Sequence, residues 1–297
     1  MVKLYSLSLA LYCMALSGMA APTFATTPAT APAPTVVKTG TAARPQALII
    51  GDTFVLKSKI LKEQRRINVY FPPGYHDKPD KRLPLMVMPD GGIGEDFLHV
   101  AGLLQIGSIN ETMRPLLLVG IENTERRRDL TGPTENAEDK KVAKRVGGSA
   151  AFRAFIRDEL LPHIEKHYRV TDERALVGES LAGLFVVETF LLEPDLFQHY
   201  IAIDPSLWWN DKKLLASSGA HLSKHARLDK RLYFTTSGQQ GMPELSQSLA
   251  ETLGKVAPAG VQWHYEQMPQ ETHATIYHPA ALKAFRMAFK PPVADKK

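Results

Sequence analysis

One stretch of the chain has the residue types and spacing to do nucleophilic chemistry: Leu176-Val177-Gly178-Glu179-Ser180-Leu181-Ala182-Gly183-Leu184. An apolar run enters a serine flanked by small residues, and a second apolar run leaves it. This is the G-x-S-x-G pattern of a strand–turn–helix elbow, with Ala182 in the last place. Gly178 and Ala182 let the strand and helix backbones approach, so the Ser180 hydroxyl stands exposed at the helix N-terminus. The N–H of Leu181 then points toward any oxyanion formed there. The plainer reading is a helix-capping serine, which the apolar flanks on both sides disfavour.

A serine hydroxyl needs a base. Where a serine elbow is used, the chain order is serine, acid, histidine. His264 lies within a late strand and reads as solvated. His273 follows that strand in a polar loop, Met268–Thr275, where a base belongs, and His278 is its rival. The acid is expected in the loop after the strand Leu232–Thr235. That loop carries Gln239 and Gln240, and its first carboxylate is Glu244. Either Glu244 reaches back or a Ser–His dyad operates. A second oxyanion donor is expected from Pro89-Asp90-Gly91-Gly92, with Gly92 favoured. Arg126-Arg127-Arg128 follows a core strand and offers charge-assisted hydrogen bonds to an anionic substrate, with Arg128 the chosen contact. Trp208 and Trp209 offer an aromatic platform, or else pack over the core. No HExxH or CxxC spacing and no phosphate loop occurs, so neither a metal nor a nucleotide is expected.

The elements that must position these residues alternate. Arg66–Phe71 alternates polar and apolar residues, as a half-buried strand does. Leu83–Met88 and Leu116–Ile121 are short apolar runs suited to strands covered on both faces. A helical period runs over 150–167, with a kink expected at Pro162. Strands at 175–177, 200–203, 232–235 and 261–265 alternate with helices at 184–192 and 245–256. Such alternation predicts an α/β fold with a mostly parallel central sheet and helices on both faces.

The ends read differently. Lys3 followed by the uncharged apolar stretch Leu4–Met19 is a secretory signal pattern, cleaved after Ala20 or, alternatively, Ala25. Cys13 is the chain's one cysteine and lies within that signal. Residues 21–47 are dominated by Ala, Pro and Thr, the composition of a disordered tether. The domain is expected over 48–290 and a tail over 291–297. A formal charge of +5 arises from 36 basic and 31 acidic residues, too balanced for a dedicated nucleic-acid binder. The expected location is therefore the periplasm or outside the cell, with no stable membrane anchor once the signal is removed.

Taken together, the Pro89–Gly92 loop, Val119–Asn123 followed by Arg128–Thr131, the helix 152–168, Gly178–Phe185 and Asp204–Trp209 resemble the Putative esterase branch of the α/β-hydrolase superfamily. The likeness is strongest to esterases of ferric catecholate siderophores, of enterobactin or bacillibactin type, and spans about residues 60–290. The resemblance implies ester hydrolysis through an acyl-enzyme on Ser180, no cofactor, and a trilactone or its ferric complex as substrate. Two other readings remain: a general carboxylesterase for acetyl or aromatic acyl esters, and a non-catalytic binding protein on the same fold.

Overall fold

Runs such as Leu83–Met88 have no polar face to show to water, so each must be covered from both sides. The computed structural model describes residues 45–292, and the residues from Leu48 onward form one compact unit. The expected signal with Cys13, most of the 21–47 segment and residues 293–297 lie outside the described residues.

Among the described residues, the strands are β1 (Gly51–Ser58), β2 (Glu63–Tyr70), β3 (Leu83–Met88), β4 (Leu117–Ile121), β5 (Val170–Glu179), β6 (His199–Ile203), β7 (Arg231–Ser237) and β8 (Gln262–Met268). They form one sheet in the order β1-β2-β4-β3-β5-β6-β7-β8. β1 pairs antiparallel with β2, and β2 with β4; every other pair is parallel. The helices are α1 (Phe97–Ile109), α2 (Arg126–Asp129), α3 (Ala137–Lys141), α4 (Ser149–Phe155), α5 (Leu161–His167), α6 (Leu181–Leu192), α7 (Trp209–Leu222), α8 (Met242–Val256) and α9 (Tyr277–Ala288).

The two-residue period of the strands divides the core. Leu85, Val87, Leu117, Val119, Leu176, Tyr200 and Phe234 face one side, where residues of α4 to α8 cover them. Met86, Met88, Leu118, Val177, Ile201 and Tyr233 face the other, under α1 and α9. Phe152, Phe155, Phe185 and Phe190 are almost wholly buried, each worth about 1.5–3 kcal/mol of hydrophobic stabilisation.

The helix expected over 150–167 is present but departs from α geometry earlier than Pro162. A π turn at Ile156–Leu160 separates α4 from α5. Proline offers no N–H to the preceding turn and its ring crowds the carbonyl there, so the wider turn relieves the conflict upstream of the ring.

What matters for function is where the chain changes direction. After β3 it moves to β4 on one side; after α5 it returns to β5 on the other side of β3. Such a reversal opens a crevice at the carboxyl ends of the two strands. Asp90–Gly92 and Ser180 stand at those ends.

Candidate active site

Ser180 ends β5 and opens α6 with φ 61° and ψ −120°. A non-glycine residue held there costs about 1–3 kcal/mol, which surrounding structure must enforce. Here the enforcement is steric and hydrogen-bonded. A Cβ on Gly178 would lie 2.6 Å from the Ala182 Cβ, so only glycine lets β5 and α6 close on each other while Ala182 is kept. The Ser180 N–H donates to the Ile203 carbonyl at 3.0 Å, and the Ser206 N–H donates to the Ser180 carbonyl at 3.0 Å. Leu181, as the first helical residue, has an N–H without an intrahelical acceptor.

His273 lies in the loop between β8 and α9. Ile276 is fully buried beneath that loop, and the Gly238 N–H donates to the Glu271 carbonyl at 2.9 Å, tying it to the end of β7. His273 Nε2 is 2.9 Å from Ser180 Oγ. Its Nδ1 is 2.7 Å from Asp204 Oδ2. His278, the rival, instead has its Nδ1 3.1 Å from His99 Nε2.

The expected acid, Glu244, is corrected by this geometry. It is exposed in the first turn of α8, where a carboxylate complements the helix dipole; among the described residues His273 bonds instead to Asp204 and Ser180 and pairs with Glu179. Asp204 occupies the place instead, at the end of β6. The strand β6 lies directly beside β5, with Glu179 opposite Ile203, so a residue just past β6 is one strand closer to Ser180 than one past β7. The carboxyl end of β7 serves Asp204 instead: Ser237 donates its N–H and its hydroxyl, each at 2.8 Å, and Thr236 its hydroxyl at 3.2 Å. A signal for Asp204 does exist in the sequence. It follows an apolar strand directly and preserves the order serine, acid, histidine, although the tryptophans beside it mark the same loop as a platform.

These contacts set the charges. Burial alone would raise the Asp204 carboxyl, yet hydrogen bonds from His273 and Ser237 hold it below its ordinary value. The hydrogen bond to Asp204 raises His273 above the usual imidazole, against the cost of burial and with help from the nearby Glu179 carboxyl. A fully buried carboxylate on Nδ1 fixes the ring so that Nε2 can accept a proton from Ser180.

Gly92 is where the reading of the oxyanion donors changes. Its N–H donates to Glu95 Oε2 at 2.7 Å, so a substrate oxyanion meets that donor only after Glu95 releases it. Asp90, with φ 55°, is gripped by Arg126 through Nε at 2.7 Å and Nη2 at 2.8 Å.

Arg128 does not extend toward a ligand. Its guanidinium grips Glu63 of β2 at 3.0 and 2.7 Å and Asp129 at 2.6 Å, with the side chain only 13% exposed. It is spent on holding α2 to the sheet. Arg126, Arg127, Arg128, Lys144 and Arg145 nonetheless line a groove of about 850 Å³. Arg127 and Lys144 have no carboxylate partner among the described residues, and Glu125 is paired with Arg145. The two tryptophans part company. Trp209 is 4% exposed and donates its Nε1–H to the Gly132 carbonyl at 2.8 Å, so it belongs to the core. Trp208 is 41% exposed, two residues from Ser206, whose Oγ lies 3.4 Å from Ser180 Oγ.

Comparison with known proteins agrees with this architecture. The ferri-bacillibactin esterase BesA of Bacillus subtilis is 28% identical over 197 residues, 60% of this chain and 68% of that protein. A siderophore enterobactin esterase of Emericella nidulans is 34% identical over 110 residues, covering 34% of this chain and 36% of that protein. The crystal structure of an IroE-like serine hydrolase from Shewanella oneidensis superposes with a TM-score of 0.73 at 28% identity, covering 80% of each chain. The Putative esterase family matches residues 58–285, nearly the whole of the folded unit. The chain belongs to that family, and it is an ester-hydrolysing enzyme built on the α/β-hydrolase fold.

Proposed function

We propose that this enzyme is exported and cleaves carboxylic esters through an acyl-enzyme on Ser180, with the lactone bonds of catecholate siderophores as its substrates. The observation that carries the mechanism is the continuous chain Ser180 Oγ, His273 Nε2 at 2.9 Å, and His273 Nδ1 to Asp204 Oδ2 at 2.7 Å. Nε2 takes the hydroxyl proton as Ser180 Oγ attacks the ester carbonyl. The Leu181 N–H receives the oxyanion, and Gly92 joins it once Glu95 withdraws. The imidazolium then returns its proton to the departing alkoxide, leaving an acyl-serine and an alcohol. Water enters, gives a proton to Nε2 and attacks the acyl carbon; the carboxylic acid leaves and Ser180 is restored.

The substrate class draws support from the basic groove and from Trp208. Ferric catecholates are anionic and aromatic, so charge-assisted contacts in the groove and stacking on the exposed Trp208 suit them. The names of the relatives from Bacillus subtilis and Emericella nidulans point the same way. Export rests on the N-terminal pattern of Lys3 and the apolar stretch after it. The test compares kcat/KM of the purified enzyme on enterobactin, its ferric complex, and feruloyl and acetyl esters. Preference for the siderophore supports this reading, whereas equal or faster turnover of simple esters makes the protein a general carboxylesterase. Ser180→Ala is expected to lose at least about 10³-fold in kcat on every ester, and full retained activity overturns the mechanism.

A further inference from the structure

Glu179 is the last residue of β5, directly before Ser180, and its side chain turns toward His273. Its Oε1 lies 3.2 Å from His273 Nε2, with the side chain 16% exposed. The same ring nitrogen stands 2.9 Å from Ser180 Oγ. One proton-carrying atom therefore faces two oxygens, of which one is the nucleophile and the other a carboxyl. The charged and titratable groups around Glu179 come from several elements: His273 from the loop after β8, Arg126 from α2, Asp204 from the end of β6, Asp90 from the end of β3, and Tyr277 from α9. Burial pushes the Glu179 carboxyl up to about 7, against the pull of His273 and Arg126. Arg126 gives only part of its charge to Glu179, because its guanidinium already grips Asp90 at 2.7 and 2.8 Å.

We propose that Glu179 is a positioning residue that grips the Nε2–H of the His273 imidazolium and thereby sets the pH at which the site becomes competent. The proposal rests on the reading of Ser180 and His273 as nucleophile and base. The geometry allows two arrangements of a single proton. With the proton on Glu179, the imidazole is neutral and can accept from Ser180. With the proton on His273, an imidazolium–carboxylate pair forms, and the ring cannot act as a base. The two groups titrate together, so the pair and not either residue defines the acid limb of the rate profile. The sign is fixed: an ionised Glu179 stabilises the imidazolium, so kcat/KM rises at higher pH than it would without that charge. During turnover the same contact holds the ring over the site after it has taken the serine proton.

The experiment measures kcat/KM on p-nitrophenyl acetate across pH for the wild type, Glu179→Gln, Glu179→Asp and Ser180→Ala. Glutamine removes the charge and keeps the size, so the acid limb is expected to move to lower pH. The ratio of Glu179→Gln to wild type at pH ~5.5 should exceed the same ratio at pH ~8.5 by about threefold or more. A merely structural loss lowers both rates alike and leaves that comparison flat. Glu179→Asp keeps a shorter carboxylate, and its limb should fall between the two; it carries the test if Glu179→Gln does not fold by circular dichroism. Superimposable acid limbs with an inactive Ser180→Ala overturn the role of Glu179 alone. An active Ser180→Ala overturns the reading beneath it.

Discussion

A hydroxyl attacks an ester only when its proton has somewhere to go, so the residue that braces the base governs the rate. Asp204 is fully buried and accepts from Ser237, Thr236 and His273. Glu244 stands exposed on α8. Asp204→Asn is therefore expected to lower kcat about 10³–10⁴-fold, because an amide neither carries the compensating charge nor enforces the ring tautomer. Glu244→Gln is expected to stay within about twofold of wild type, as for exposed changes worth less than ~0.5 kcal/mol. Steady-state kinetics of the two variants on one p-nitrophenyl ester decides the matter; a larger loss in Glu244→Gln would reverse the assignment. At this scale Ser180 and His273 are legible in the sequence because each is marked locally, one by small neighbours and one by its place after the last strand. Asp204 is marked only as a carboxylate directly after an apolar strand, and it is the pairing of β5 with β6 that singles it out for His273.

At the scale of elements, the sheet is pinned at the end opposite the site. Glu173 of β5 accepts from Arg114 at 2.8 and 2.7 Å and meets His199 Nε2 of β6 at 3.0 Å. Hydrogen bonds from Arg114 and His199 push its carboxyl down to about 2. A lowered folded-state pKa contributes stability above the unfolded value and loses it as pH falls through the folded one. Glu173→Gln is expected to cost about 1–3 kcal/mol at neutral pH. Urea unfolding across pH should show the gap between variant and wild type close as pH falls from about 4.5 toward about 2. The inner strands β3 to β7 are readable as apolar runs and β2 by its alternation, whereas β1, with its mixed residues, escapes the sequence reading. Helix α7 is not: its first turn contains Asn210, Asp211 and Lys212 in the left-handed region, which breaks any helical period. Helix α1 is hidden too, since Leu98, Ile106 and Ile109 leave its outer face as apolar as its inner one.

For the molecule as a whole, charge distribution outweighs net charge. The formal +5 is slight, yet five basic side chains converge on one groove that Arg126 shares with the site. Association with an anionic substrate should be steered by that groove and screened by salt. The kcat/KM for a ferric catecholate is expected to fall about tenfold between low and high ionic strength, while that for a neutral ester stays nearly flat. Arg127→Ala with Lys144→Ala should flatten the salt dependence of the anionic substrate. A slope unchanged in the double variant would place the steering charge elsewhere.

The sequence by itself marked Ser180 and His273 as the candidate nucleophile and base, and determined the kind of sheet that carries them. Those properties live in short windows: a glycine that tolerates a close helix, a hydrophobic period, a polar loop after a strand. Tertiary structure decided the acid, the occupant of the Gly92 N–H, the division of the two tryptophans and the placing of Glu179 against His273. Each of these depends on which strand lies beside which: the reversal at β3 sets β5 beside it, and β6 follows next to β5. A side chain's neighbours across a sheet are set by strand order and register, and no local pattern of residues encodes either one.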